Sequence, residues 1–152
     1  MRYSNLGIVL LAIWLIVTGL LTFIKIAIPG LGIIVAILAL AAGILLLLER
    51  RRSRYPGMLL LSIFLIVTGL VSLVTLNFPG LATILALLAI AAGVLLFLEH
   101  RRASMRRNLG WVLLDIWLVL DGLAGLILSL AGLDLILSIL AIAAGVLLLL
   151  RY

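Results

Sequence analysis

The sequence predicts an all-α fold: an integral membrane bundle of six helices, built from three tandem transmembrane helical hairpins. Three observations support this prediction: the composition, a repeat of about 50 residues, and two long apolar runs in every repeat. Hydrophobic residues make up 68% of the 152-residue chain, and charged residues only 11%. Ordinary globular domains carry about 25% charged residues, so this chain lacks the polar groups that cover a soluble domain.

Glycines at matching positions define the repeat. Gly7, Gly57 and Gly110 align, and another glycine follows each of them at the same distance along the first apolar run. The second apolar run of every copy contains the sequence AAG. Together the copies form a single transmembrane domain, residues 1–152, with internal repeats at residues 1–54, 55–107 and 108–152.

Each apolar run is long enough to cross a membrane, because about 20 residues in a helix span a hydrocarbon core of about 30 Å. The first run follows Arg2 and has features of a secretory signal peptide. It is longer than the apolar region of such a peptide and recurs twice later, so we interpret it as a transmembrane helix. The predicted helices cover residues 6–25, 30–48, 56–76, 80–98, 109–129 and 133–150.

Short turns connect the two helices of each hairpin, which predicts antiparallel pairing. Pro29 and Pro79 stand at the starts of the second and fourth helices, where the missing N–H of proline leaves no hydrogen bond unmade. The third turn has no proline at this place. Instead, Asp134 lies in the first turn of the sixth helix, where a carboxylate interacts favourably with the helix dipole.

Basic residues are concentrated at one end of the predicted bundle. All but Lys25 of the 11 basic residues fall in the termini and in the loops between hairpins, so both termini are expected in the cytoplasm. Glu49 and Glu99 end helices beside these arginines, where surface pairing is expected to contribute little. The loop arginines are predicted to set the orientation and to attract anionic lipid headgroups rather than nucleic acid. They are Arg50, Arg51, Arg52, Arg54, Arg101, Arg102, Arg106 and Arg107.

Small residues recur at spacings of three and four along the predicted helices. Such a stripe lets two helix backbones approach closely and is typical of helix contacts in membranes. We expect the stripe to pack the helices of one bundle; the alternative is a face for a second copy or another subunit. The predicted packing residues are Gly19, Gly69, Gly122 and Gly125 on odd-numbered helices, and Gly32, Ala36, Ala39, Gly43, Ala82, Ala86, Ala89, Gly93, Ala141 and Gly145 on even-numbered helices.

Acidic residues distinguish the third hairpin. Asp115 and Asp121 lie about 9 Å and about 18 Å from the start of the fifth helix at Leu109. Asp115 falls on the small-residue stripe, whereas Asp121 lies about 120° around the helix, so the two carboxylates are not expected to share one face. The candidate intramembrane polar residues are Asp115, Asp121, Asp134 and Ser138.

Three interpretations of Asp115 and Asp121 stay open. As protonated groups, they would hydrogen-bond backbone carbonyls or hydroxyls of neighbouring helices and specify packing. The candidate hydroxyls are those of Thr18, Thr22, Thr68, Ser72 and Ser138. As ionisable groups in the membrane, they would line a path for protons or cations. As contacts, they would meet a cationic or polar group on another chain.

The sequence argues against catalysis and against bound metals or cofactors. It contains no cysteine, and its single histidine, His100, lies in a basic loop. We therefore expect no metal, no haem and no other cofactor. No predicted segment outside the membrane is long enough for a soluble catalytic domain, and no nucleophile has a base beside it. The predicted protein is not an enzyme.

The sequence IVTGL, followed by PGL and AAG, occurs in Leu6–Leu48 and again in Leu59–Leu98. This pattern resembles the HdeD-like (DUF308) family of small six-helix membrane proteins. The resemblance implies a bacterial inner membrane, a stress-related role such as acid resistance, and no catalytic residues. We predict a non-enzymatic scaffold or accessory subunit that forms homo-oligomers or packs against other membrane subunits. The alternative is a small channel or transporter for protons or cations that uses Asp115 and Asp121.

Overall fold

The computed structural model confirms the predicted fold class. It describes residues 6–24, 28–49, 56–74, 79–102, 109–127 and 132–150, and these contain six α-helices and no strand. All six helices are long and apolar enough to cross a membrane, so the chain is a multi-pass membrane protein. The helices, numbered α1 to α6, are Leu6–Ile24, Leu31–Glu49, Pro56–Val74, Leu81–Arg102, Leu109–Ile127 and Leu133–Leu150.

The six helices pack side by side in a closed ring. The two helices of each hairpin are neighbours, and the hairpins meet where α2 packs on α3, α4 on α5, and α1 on α6. We call these three contacts between hairpins the seams. The helices are closer together in the seams than within the hairpins. Because the seam between α1 and α6 closes the ring in the same way as the other two, the hairpins follow a pseudo-threefold arrangement.

Paired glycines bring the helix backbones into contact in every seam. An ideal Cβ on Gly19 would lie 2.8 Å from the Ser138 carbonyl oxygen, and one on Gly145 would lie 2.8 Å from the Ala12 carbonyl oxygen. A side chain at either position would therefore force α1 and α6 apart. The other two seams have the equivalent pairs Gly43 with Gly69 and Gly93 with Gly122.

The predicted small-residue stripe is used in these seams except near the turns. Five alanines of the stripe are buried beside the glycines: Ala36, Ala39, Ala86, Ala89 and Ala141. Gly32 and Ala82 differ from the prediction, because both are exposed and nothing lies within 4 Å of an ideal Cβ on Gly32. Gly125 is also exposed, with only the Ala86 Cβ atom near it, at 3.2 Å.

The core is built mainly from α1, α3 and α5. Trp14, Phe64 and Trp117 occupy matching positions in the three repeats and are at most 5% exposed. The Trp14 and Trp117 rings meet edge to face, with centroids 5.9 Å apart and an interplanar angle of 84°. Leucines of the same helices complete the interior: Leu11, Leu15, Leu61, Leu65, Leu114 and Leu118. The bundle interior is therefore filled with side chains at this level.

Glycines in the left-handed conformation precede the second helix of each hairpin. Gly30, Gly80 and Gly132 have φ values of 100°, 99° and 111°, which glycine adopts without steric cost. The carbonyl oxygen of each glycine accepts a hydrogen bond from the first turn of the following helix, at 3.0 to 3.4 Å. The third hairpin therefore starts its second helix as the others do, without a proline. We call this end of the bundle the turn end, and the opposite end the basic end.

Candidate functional site

A cavity of about 240 Å³ lies between α1, α5 and α6, in the part of the bundle nearer the turn end. At about 30 Å³ per water molecule, it has room for about eight waters. Its walls carry two carboxylates, three hydroxyls and an indole ring. The lining residues are Thr18, Gly19, Thr22, Trp117, Asp121, Asp134, Leu137, Ser138 and Ala141.

The two carboxylates of the cavity come from adjacent helices. Asp121 lies one turn after Trp117 on α5, so both side chains project from the same face of that helix. Asp121 is partly buried, and Asp134, in the first turn of α6, is exposed. Because Asp134 lies in the first turn of α6, this wall of the cavity is at the turn end. The seam between α1 and α6 brings Thr18 and Thr22 of α1 to the same cavity.

The hydroxyl groups of the cavity are mostly engaged as donors to the backbone. The Ser138 hydroxyl donates to the Asp134 carbonyl oxygen at 2.6 Å, and Ser138 is 2% exposed. The Thr22 hydroxyl donates to the Thr18 carbonyl oxygen at 2.9 Å. The Thr18 hydroxyl oxygen is buried and has no hydrogen-bond partner among the described residues. The cavity therefore presents mainly oxygen acceptors.

Asp115 lies in a different environment from Asp121. It is 1% exposed, and its carbonyl oxygen would lie 2.9 Å from an ideal Cβ on Gly93, in the seam between α4 and α5. Asp115 is not among the residues that line the cavity. The helical spacing of the two aspartates thus places one carboxylate in a packed seam and the other in a cavity.

The repeats provide an internal comparison, because the ring has two other corners at matching positions. The corner of α1, α2 and α3 carries Trp14, Thr18, Gly32, Ala36, Thr68 and Ser72. The corner of α3, α4 and α5 carries Phe64, Thr68, Ala82, Ala86, Asp121 and Gly125. Among the residues that the structure describes, two carboxylates come together only at the corner that α5 and α6 form with α1.

The two glutamates at the basic end have a role that the sequence analysis missed. Glu49 Oε1 accepts a hydrogen bond from the Gly7 backbone N–H at 3.0 Å, and Glu99 Oε1 accepts one from the Gly57 N–H at 2.6 Å. Each carboxylate thus caps the first helix of its own hairpin. The identical separation of the two partners, 42 residues in both hairpins, is a sequence signal that could have revealed these caps.

Most of the predicted lipid-binding arginines lie outside the described residues: Arg50, Arg51, Arg52, Arg54, Arg106 and Arg107. The exposed Arg101 lies over the Phe97 ring, 5.5 Å from its centroid, and Arg102 is the last residue of α4. Among the described residues, no group of three histidine, aspartate or glutamate side chains is placed to hold a metal ion.

Comparisons of the chain with protein-family models, with curated proteins and with solved structures find no match. The class of protein is therefore defined by the fold itself: a multi-pass α-helical membrane protein with an acidic cavity between α1, α5 and α6. The resemblance to the HdeD-like family stays a prediction.

Proposed function

We propose that the protein is a small membrane transporter or channel for protons or cations, with Asp121 and Asp134 as its cation site. The observation that carries this proposal is the cavity itself, which joins carboxylates of two helices with three hydroxyls. Acidic residues inside a membrane usually face a protein interior or a water-filled space, and they mark ion pathways. An aspartate that served only helix packing would not need an adjoining space of about 240 Å³.

The carboxylates of the third hairpin lie at successive depths, which fits a path along this hairpin. Asp134 lies at the turn end, and Asp121 lies about 9 Å along the helix axis from the last residue of α5, which is at the same end. Asp115 is a further step of about 9 Å towards the basic end. Trp14 and Trp117 are in contact near the floor of the cavity, so passage beyond Asp121 requires these rings to move.

The predicted scaffold or accessory role has less support, because the small-residue stripe is largely consumed by the seams of one chain. Contact with a second copy or another subunit would need a different surface. A bacterial inner membrane, cytoplasmic termini and a stress-related role stay part of the proposal on the sequence pattern alone. With the basic loops in the cytoplasm, the cavity would lie nearer the opposite side of the membrane.

Flux measurements in proteoliposomes test the proposed function. The repeats suggest the variants: Asp121→Thr introduces the residue that α1 and α3 carry at this position, and Asp134→Gly introduces the residue of α2. In both variants the new residue is one that another hairpin carries at the matching position, so we expect the variants to fold. Proton flux, read with a pH-sensitive dye, and cation currents are expected to fall at least about tenfold in both, because a charged hydrogen-bonding group is lost.

Ser62→Ala serves as the matched control, because Ser62 is buried on α3 away from the cavity and α1 has alanine at this position. Its flux is expected to equal that of the wild-type protein. Wild-type flux in both Asp121→Thr and Asp134→Gly would refute the proposed function.

A further inference from the structure

We propose that the cavity between α1, α5 and α6 binds a small organic ammonium ion that carries N–H donors. This inference rests on the proposed function, because it names the class of cation that the site takes. Three features carry it: the size of the cavity, the acceptor character of its polar groups, and the apolar side chains among them.

The size of the cavity suits a small molecule better than a bare ion. Its volume of about 240 Å³ holds a molecule of about eight to ten non-hydrogen atoms, given about 30 Å³ for a water molecule. A bare divalent ion instead needs several oxygen ligands within about 2.6 Å. Among the described residues, no group of three acidic or histidine side chains provides such a set.

The acceptor character of the cavity favours a ligand that donates hydrogen bonds. The hydroxyl protons of Thr22 and Ser138 are engaged with backbone carbonyls, so their oxygens are left as acceptors. The Thr18 hydroxyl oxygen is buried without a partner among the described residues. Thr18 thus adds a third hydroxyl oxygen to the lining, and this oxygen can accept a hydrogen bond from a ligand.

The carboxylates favour an ammonium group in particular. An ionised carboxylate only accepts hydrogen bonds, and a primary ammonium group offers three donors and no acceptor. Asp121 on α5 and Asp134 on α6 line the same space from adjacent helices. An ammonium group in this space can form charge-assisted hydrogen bonds with the site, which are the strongest class available here.

The apolar lining favours an alkyl chain on the same ligand. Trp117, Leu137 and Ala141 line the cavity together with the acids. Alkyl carbons can pack against these side chains, and an indole face also attracts a cation. A free amine and the ammonium headgroup of a lipid share this chemistry.

Calorimetry on the full-length protein in phosphatidylglycerol nanodiscs tests the inference, because this lipid carries no amine. Ethylammonium is expected to bind saturably, and tetramethylammonium, which has no N–H donor, about tenfold more weakly. Asp121→Thr and Asp134→Gly are each expected to weaken ethylammonium binding at least about tenfold, whereas Ser62→Ala keeps wild-type affinity. The same titration in phosphatidylethanolamine nanodiscs distinguishes the two sources of the ammonium group. A weaker apparent affinity for ethylammonium would show that the lipid headgroup competes for the cavity. An unchanged affinity would show that the cavity takes a free amine.

Other outcomes overturn the inference. Tighter binding of sodium or magnesium than of ethylammonium would show that the site takes a bare ion. If no ammonium ion binds while flux still depends on Asp121, the ligand class is wrong and the proposed function stands. If neither binding nor flux depends on Asp121, both fall.

Discussion

The close backbone contacts in the seams predict that an alanine there destabilises the protein, whereas an alanine near the turns does not. At Gly122, an ideal Cβ would lie 2.6 Å from the Ala86 carbonyl oxygen, which is 0.8 Å short of the 3.4 Å at which ordinary contact begins. The Ile90 N–H lies behind it at 3.1 Å, so α4 and α5 must move apart. Overpacking of this kind costs about 1 to 3 kcal/mol.

The matched control is Gly32→Ala, because nothing lies within 4 Å of an ideal Cβ at Gly32. Alanine in the middle of a helix is favoured over glycine by about 0.5 to 1 kcal/mol. Gly122 gains this in the interior of α5, whereas Gly32, the second residue of α2, gains less, so the measured difference is a lower bound on the packing cost. Chemical unfolding in detergent micelles, followed by tryptophan fluorescence, measures both free energies. Gly122→Ala is expected to be less stable than Gly32→Ala by about 1 to 3 kcal/mol. Equal free energies for the two variants would refute the close backbone contact in the seam between α4 and α5.

Two further predictions concern the basic end and the core. Glu49→Ala removes the acceptor of the Gly7 N–H and is expected to lower the free energy of unfolding by about 0.5 to 2 kcal/mol. Glu49→Gln keeps an oxygen acceptor and is expected to lower it less. An equal loss in both variants would contradict the cap. Trp14→Phe is expected to lower the free energy of unfolding by less than about 1.5 kcal/mol, because Phe64 already fills the matching position of α3. Trp14→Ala is expected to lower it by about 3 to 5 kcal/mol. Thermal unfolding of the two Trp14 variants tests this difference, and a milder loss in Trp14→Ala would contradict a core that is packed at this level.

The helices could be predicted from the sequence because apolar length and short turns are local properties. The predicted and observed bounds agree within a few residues, and the largest difference is at the end of α4. The apolar run stops before Glu99, but the helix continues to Arg102. Hydropathy marks the residues that lie in lipid, whereas a helix can extend beyond them into the polar interface.

The cavity could be predicted only in part, because it depends on contacts between distant parts of the chain. The sequence pattern singled out Asp121, Asp134 and Ser138 as polar residues of one hairpin. It gave Thr18 and Thr22 only among several hydroxyls that the aspartates could meet, and it did not predict that these two, from the other end of the chain, complete the site. That contact exists because the seam between α1 and α6 closes the ring, and closure is a property of all three hairpins together.

The accessibility of a thiol at Thr18 tests the acidic cavity, because the 152-residue sequence contains no cysteine. Thr18→Cys places a thiol in the cavity, and Thr68→Cys places one at the matching position of α3, outside the lining. Thr18→Cys is expected to react faster with a trimethylammonium thiosulfonate than with a sulfonate reagent of similar size, and Thr68→Cys is expected to react slowly with both. No reaction at Thr18→Cys, or equal rates with the two reagents, would contradict a water-filled cavity that attracts cations.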